Sequence, residues 1–150
     1  MPQSLSQVLI HIIFSTKDRH PWLDAEIRPR MHAYLAKVCR DTDCEAYRVG
    51  GVADHVHLAV RLARTISQSD LLEKIKTASS VWIKTQGPQY TAFHWQKGYG
   101  DFSIDYSQLD DLIHYIERQE EHHKTGTFQE EYREMLRKYN VSFDERYVWD

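Results

Sequence analysis

The chain has 150 residues, 41% of them hydrophobic, and a formal net charge of −3, which argues against a strongly basic nucleic-acid-binding protein. The acidic charge is concentrated at one end: residues 1–100 carry 13 Lys and Arg against 9 Asp and Glu (+4), and residues 101–150 carry 6 against 13 (−7), so the body of the chain can still present a basic surface. No apolar run approaches the ~20 residues of a membrane span, no signal peptide is evident, and Cys39 and Cys44 form no Cys-x-x-Cys pair, so we expect a soluble cytoplasmic protein.

The first half of the chain has the pattern of a strand, a helix and two further strands. Residues 8–14 form a β-branched and aromatic run of strand length. Residues 24–38 carry an apolar stripe at helical spacing, with Pro29 tolerable only in the first turn. Residues 44–52 predict a second strand, and Gly50 and Gly51 predict a tight reversal into a third strand that contains His55.

The next three predicted elements are a helix, a strand and a helix. We expect Ser69 to cap the second helix, which the Gly87-Pro88 pair ends. Residues 96–104 then predict a fourth strand, loosened by glycine. Ser107 is the expected cap of a third helix with a strong apolar stripe.

The C-terminal part has the pattern of a short charged helix over residues 128–139, followed by an extended aromatic end over residues 143–149. No Gly/Ser/Pro-rich linker precedes it, so we predict a single domain over residues 1–150, with a core of about 5–125 and a C-terminal helix and tail of about 126–150. The order of the core elements resembles a ferredoxin-like βαββαβα sandwich. Its class is α+β, with an antiparallel sheet and helices packed on one face.

A pair of histidines on the third strand is the first candidate for chemistry. Side chains alternate along a strand, so His55 and His57 project to one face while Val56 and Leu58 project to the other. Two imidazoles held two residues apart on rigid backbone can bind one metal ion. A His-x-His pair in a chain with nine histidines is weak evidence by itself, because partly exposed strand histidines are common.

The third predicted helix supplies a second signal. Tyr115, Gln119 and His122 fall together about 100° to one side of its apolar stripe, an estimate from the 100° turn per helical residue. A tyrosine and an amide four residues apart can reach a common point above the next element. Each residue alone has an ordinary explanation. Tyr115 would be a boundary tyrosine with a buried ring and a solvent-exposed hydroxyl, and Gln119 a solvent-exposed helix residue.

Together these residues carry a family resemblance. Gly50-Gly51, then His55-Val56-His57 on a strand, then Tyr115 to His123 on a later helix, resemble the single-tyrosine transposases of the HUH superfamily, of the insertion-sequence two-hundred type. The likeness extends over nearly the whole chain.

The resemblance implies a metal-dependent DNA transposase that cleaves and rejoins single-stranded DNA at hairpin-bearing element ends. By match, Tyr115 is the nucleophile that forms a 5′-phosphotyrosine intermediate, and His55, His57 and Gln119 bind one divalent cation, Mg²⁺ or Mn²⁺. The resemblance also implies a homodimer in which the tyrosine helix of one chain completes the histidine site of the other.

Some other functions are excluded by particular residues, and others stay open. Ala59 stands where a histidine-triad hydrolase would need a third histidine, and no second His-x-Ser/Thr strand supports a two-histidine phosphoesterase. A rolling-circle-type nicking enzyme uses the same chemistry, although such chains are usually longer. A domesticated transposase-derived protein or regulator that binds repeated DNA hairpins is the non-enzymatic alternative. Arg118, where many relatives have asparagine, and the acidic C-terminal end depart from the family pattern.

Phosphate and base contacts would be expected in the basic part of the chain. The candidates for phosphate contacts are Lys17, Arg19, Lys74, Lys76 and Lys84. Trp82, Trp95 and Tyr99 could stack on bases, but at these spacings they are more often core or interface residues.

Overall fold

A four-stranded antiparallel sheet with helices on both faces forms the protein, according to a computed structural model that describes residues 2–150. In chain order the strands and α-helices are β1 (Leu9–Ser15), α1 (Arg28–Asp41), β2 (Glu45–Gly51), β3 (His55–Arg61), α2 (Gln68–Lys84), β4 (Gly100–Ile104), α3 (Leu109–Glu117), α4 (Gln119–His122) and α5 (Phe128–Lys138). Across residues 2–150, no helix combines the length and the apolar character that a membrane crossing requires.

The sheet has the strand order β2-β3-β1-β4, and all three neighbouring pairs are antiparallel. Because β1 and β3 are central, hydrogen-bonded neighbours fix the register of both strands on each side. In that register Ile12 pairs with Leu58 and Ile13 pairs with His57. Alternate residues of β1 and β3 therefore point to opposite faces of the sheet.

One face of the sheet carries the main core. Ile12 of β1 and Leu58 of β3 are fully buried there against Met31 and Leu35 of α1 and Leu71 of α2. The helices α1 and α2 contribute the apolar stripes that the sequence predicts, and Pro29 lies in the first turn of α1 as expected. Apolar burial on both sides of this interface is the dominant stabilising contribution.

The opposite face is covered by α3 and α5. Leu112 and Ile116 of α3 pack on Ala59, and Phe128 and Tyr132 of α5 belong to a cluster that contains Ile13 and Phe102. The predicted α+β, ferredoxin-like fold with an antiparallel sheet is confirmed, with α1 and α2 sharing one face. The helices α3 and α5 add a third layer on the other face.

Two predicted helix caps are wrong by two residues. Ser67, not Ser69, precedes α2, where its hydroxyl accepts a hydrogen bond from the Asp70 amide at 3.1 Å. Asp105, not Ser107, begins the turn before α3. Its carboxylate accepts a hydrogen bond from the Ser107 backbone amide, and the Gln108 side-chain oxygen accepts one from the Asp105 backbone amide. In both places the preferred cap has extended backbone and a free acceptor aimed along the helix axis.

Three further predictions need correction. The strand predicted over residues 96–104 begins only at Gly100, because Gln96 is buried and its amide oxygen accepts the Ser15 amide. The C-terminal end is not extended: residues 145–149 form turns, and Trp149 packs against Tyr132. The third predicted helix is interrupted at Arg118, where α3 ends and α4 begins.

Candidate active site

His55 and His57 lie on the face of β3 that α3 and α5 cover. Both side chains are 0% exposed, so they are not partly exposed strand histidines. The Nδ1 atom of His55 is 2.7 Å from Asp54 Oδ1, and the Nδ1 atom of His57 is 2.7 Å from Nε2 of His11 on β1. These contacts fix both rings and direct both Nε2 atoms toward the interior of the site.

A third imidazole approaches from the segment between α4 and α5. His123 donates from Nδ1 to the backbone carbonyl of Gly126 at 2.8 Å, and its Nε2 lies 3.1 Å from Oε1 of Glu131. Its side chain is 8% exposed. His123 therefore repeats the arrangement of the two strand histidines: Nδ1 is held by a partner and Nε2 faces inward.

The carboxylate of Glu131 on α5 is the centre on which these rings converge. Its Oε1 atom lies 3.3 Å from His55 Nε2 and 3.0 Å from His57 Nε2, in addition to the contact with His123. Its Oε2 atom accepts a hydrogen bond from the Gln119 side-chain amide at 3.1 Å. Oε2 also lies 3.5 Å from Nε2 of His122, so one oxygen faces His55, His57 and His123, and the other faces Gln119 and His122.

Tyr115 and Gln119 reach this centre from α3 and α4. The Tyr115 hydroxyl donates a hydrogen bond to Oε2 of Glu131, and its ring lies edge-on to the His57 ring at 5.6 Å between centroids. Gln119 is buried, with its side-chain oxygen 3.0 Å from His55 Nε2. The structure therefore brings together all four residues that the sequence singles out.

The close approach of α3 to β2 places Tyr115 at this depth. Gly50 has no side chain, and a Cβ atom there would lie 2.6 Å from Cγ2 and 2.8 Å from the carbonyl oxygen of Ile116. Only glycine permits this distance without a shift of the helix. The glycine pair of the β2–β3 hairpin therefore positions the tyrosine helix as well as making the reversal.

The protonation of the site is set by the balance of burial and hydrogen bonding. Burial opposes charge on His55, but hydrogen bonds to Asp54 and Glu131 outweigh it and raise the pKa of His55 to about 9. Burial lowers the pKa of His57, and burial together with the nearby charge of His55 lowers the pKa of His123 to about 4. Burial disfavours the charged form of Glu131, yet hydrogen bonds from His55 and His57 lower its pKa to about 2. The site therefore contains an ionised carboxylate beside two neutral imidazoles.

The donor atoms of the site fit a divalent metal ion. One ligand atom from each of His55, His57, His123 and Glu131 lies within 4.8 Å of all the others. Metal-binding histidines characteristically have the second ring nitrogen held by a partner: here Asp54 holds His55, the Gly126 carbonyl holds His123, and Nδ1 of His57 pairs with Nε2 of His11. The Gln119 oxygen adds a neutral donor on the same side.

Sequence reasoning missed His123 and Glu131. Glu131 sits within an acidic pair, which usually indicates a solvated helix face. One signal could have revealed it: Phe128, Glu131, Tyr132 and Met135 share the i, i+3, i+4, i+7 stripe of α5, so a carboxylate occupies a core position. His123 lies in a connecting segment and has no periodic signal.

An open cleft of about 470 Å³ leads from solvent to the Tyr115 side of the site. It is lined by residues of β1, α3, α4 and α5, among them His11, Leu112, Tyr115, His122, Glu131 and Lys138. Tyr115 thus borders this cleft, while His55 and His57 are covered. A chain-like substrate could approach Tyr115 without passing through the core.

The basic and aromatic residues singled out from the sequence have mixed surroundings. Lys76 donates to the backbone carbonyls of residues 96–98, which gives it a structural role at the start of β4. Trp95 is buried in the main core, and Trp82 stacks on Tyr34. Tyr99 is 38% exposed beside Lys76, where it is free to meet a partner.

The family model described as "Transposase IS200 like" matches residues 4–119, which include both strand histidines, Tyr115 and Gln119. The chain belongs to this family. The match ends before His123 and Glu131, so the third imidazole and the carboxylate come from a part of this IS200-like transposase that the family model does not cover.

Two solved structures resemble this IS200-like transposase. A candidate transposase from Deinococcus radiodurans R1 is 20% identical, with a TM-score of 0.60, 79% of this chain covered and 98% of that chain. A REP-associated tyrosine transposase bound to a REP hairpin is 15% identical, with a TM-score of 0.61, 82% of this chain covered and 72% of that chain. At these identities the likeness establishes the fold. A search of curated proteins finds no significant match.

Proposed function

We propose that this IS200-like transposase cleaves and rejoins single-stranded DNA at hairpin-bearing ends, in the cytoplasm, with Tyr115 as the nucleophile. The observation that carries the proposal is the convergence of the Tyr115 hydroxyl, both strand histidines and Gln119 on one buried carboxylate. The hairpin carried by the REP-associated transposase of the same fold supports the choice of substrate.

His55, His57 and Gln119 are the proposed ligands of a divalent cation, Mg²⁺ or Mn²⁺. Such an ion neutralises phosphate charge and polarises the scissile phosphodiester when bound. Asp54 and His11 hold the Nδ1 atoms of the two histidines and so keep both Nε2 atoms directed at the site.

The reaction proceeds by exchange of one phosphodiester for another. Tyr115 Oη attacks the phosphorus, a bond from Oη to phosphorus forms, and the bond from phosphorus to the 3′ oxygen breaks. Glu131 Oε2, which accepts the Tyr115 hydrogen bond, orients the phenol, whose proton passes to water, and the departing 3′ oxygen takes a proton from water to give a 3′ hydroxyl. The 5′ phosphate remains on the tyrosine, so a later 3′ hydroxyl can reverse the step without an energy source.

The test is formation of a covalent protein–DNA complex. The protein is incubated with MnCl₂ and a labelled single-stranded hairpin from the flanks of its own gene, and the product is resolved under denaturing conditions. We expect a labelled protein band in the wild type, and no band for Tyr115→Phe or after chelation. Hairpin binding by Tyr115→Phe should persist, because the ring that packs against His57 is retained.

Tyr106→Phe is the matched control, since Tyr106 is 69% exposed and lies outside the site, and it should leave the band unchanged. A band that persists in Tyr115→Phe would exclude Tyr115 as the nucleophile. Equal reaction with duplex DNA would favour a different nicking enzyme, and hairpin binding without any covalent product would favour a DNA-binding regulator.

A further inference from the structure

We propose that His123 and Glu131 complete the metal site, so that the ion is held by three imidazoles, one carboxylate and the Gln119 amide oxygen. This inference rests on the proposed function and extends it with two ligands from the C-terminal segment. It makes residues 123–131 part of the metal centre.

The geometry of His123 supports a ligand role. The Gly126 carbonyl accepts its Nδ1 proton, which leaves the Nε2 lone pair directed at the other donors. The His55 and His123 rings are 4.5 Å apart between centroids, so the two imidazoles flank the same space. A histidine that only filled the core would not need its second nitrogen turned toward two other imidazoles and a carboxylate.

The geometry of Glu131 supports the same role through one of its oxygens. Oε1 lies 3.0 to 3.3 Å from three Nε2 atoms, while Oε2 accepts hydrogen bonds from Tyr115 and Gln119 and lies 3.5 Å from Nε2 of His122. Three imidazole nitrogens around one oxygen form a compact donor set that a small cation could bridge. A buried carboxylate is paired with other groups or coordinates a metal ion.

The donor set also indicates the class of ion. Imidazole nitrogens favour first-row transition metals, whereas Mg²⁺ prefers oxygen ligands and retains several waters. With three imidazoles the site should discriminate against Mg²⁺. We expect Mn²⁺ to bind the wild-type protein at least tenfold more tightly than Mg²⁺.

The test is direct measurement of Mn²⁺ binding to the DNA-free protein, by titration calorimetry and by the loss of the free Mn²⁺ signal in electron paramagnetic resonance. We expect Glu131→Gln and His123→Asn each to weaken Mn²⁺ binding at least tenfold. Glu134→Gln, an exposed acid on the same helix, and His114→Asn, an exposed histidine on α3, should bind Mn²⁺ like the wild type. Circular dichroism and thermal melting confirm that each variant is folded.

Three outcomes separate the possibilities. Wild-type Mn²⁺ affinity in both Glu131→Gln and His123→Asn, with binding lost in His55→Ala, would overturn this inference and leave the proposed function intact. Wild-type affinity in His55→Ala as well would overturn the metal site of the proposed function itself. Tighter Mn²⁺ binding and a stronger covalent DNA band in Glu131→Gln would show that the carboxylate obstructs the site, which also overturns the inference.

Discussion

Among single residues, the buried histidines show how partners can reverse the effect of burial on a pKa. His55 is buried but hydrogen-bonded to carboxylates, and its pKa is raised to about 9. His32 on α1 is largely buried with an unpartnered Nε2, so burial, aided by the charge of Arg28, lowers its pKa to about 4. The two side chains titrate in opposite directions from the ordinary value near 6.5.

We predict that His32 makes the fold sensitive to acid. The folded state resists protonation of His32 until about pH 4, whereas the unfolded chain takes up the proton near pH 6.5. Its contribution is therefore complete above pH 6.5 and is lost as pH falls toward 4. Between pH 7 and pH 5 the free energy of unfolding should fall by about 2 kcal/mol less in His32→Gln than in the wild type, as measured by urea denaturation.

The matched control is His114→Gln, because His114 is exposed. Its loss of stability between the same two pH values should equal that of the wild type. If His32→Gln also shows the full wild-type loss, the acid sensitivity arises from other histidines.

The predictability of the site differs residue by residue. His55 and His57 were visible because a strand has a period of two, and Tyr115 and Gln119 because a helix brings positions four apart onto one flank. His57, one of the partners of Glu131, lies 74 residues away from it in sequence, on an element brought close only by packing on the sheet. No local period encodes such a contact.

Among the elements, the packing of α3 on β2 depends on a single missing side chain. Ile116 occupies the space that a Cβ atom of Gly50 would need, and both its backbone and its side chain block that space. Tyr115 is the neighbouring residue on the same helix. A displacement of α3 at this contact would therefore move Tyr115, the proposed nucleophile.

We predict that Gly50→Ala destabilises the fold and weakens the reaction. The added methyl must displace α3, at a cost of about 1–3 kcal/mol in the free energy of unfolding. Urea denaturation measures the cost, and the yield of covalent protein–DNA complex measures the displacement of Tyr115. Gly126→Ala is the control: the nearest atom to its Cβ would be Glu130 Oε2 at 3.6 Å, and we expect a change within about 0.5 kcal/mol. Equal effects of the two substitutions would show that the contact with Ile116 is not limiting.

The existence and order of the elements followed from hydrophobic periodicity, whereas their ends did not. The caps at Ser67 and Asp105 are set by the local backbone geometry. The sequence does not show that geometry, and nearby serine and aspartate residues have equally suitable side chains for a cap. No glycine or proline near Arg118 indicates in the sequence that the helix is interrupted there. There α3 ends and α4 begins with Gln119 buried against the site, a tertiary effect.

In the whole molecule, one chain supplies every group of the site. Tyr115 contacts Glu131 of its own chain, and Glu131 contacts His57 of that chain. The homodimer with shared active sites, which the family resemblance implies, stays a prediction. In this structure the tyrosine and the histidines of the site come from the same chain.

The arrangement within one chain predicts that mixing two inactive variants does not restore activity, whereas the shared sites of the predicted homodimer would restore part of it. Tyr115→Phe and His57→Ala are unfolded together, refolded as a mixture and tested for the covalent protein–DNA complex. A self-contained site leaves the mixture as inactive as its components. Recovery of about a quarter of the wild-type yield would show instead that tyrosine helices are exchanged, because random pairing makes about half of the dimers mixed and each mixed dimer has one intact site. Light scattering on the wild type gives the oligomeric state.

The register of β3 has a consequence for the uniformity of the protein as a population. His55 and His57 alternate with Val56 and Leu58 along β3. A slip of one residue against β1 would therefore bury the two imidazoles among the aliphatic side chains of α1 and α2, and would turn Val56 and Leu58 toward the polar centre. Such a molecule would lose its fold rather than persist as an inactive native-like species. Misregistered copies should thus be removed as unfolded protein, and nearly every copy that survives purification should be competent, so a titration of active sites would approach one per folded chain.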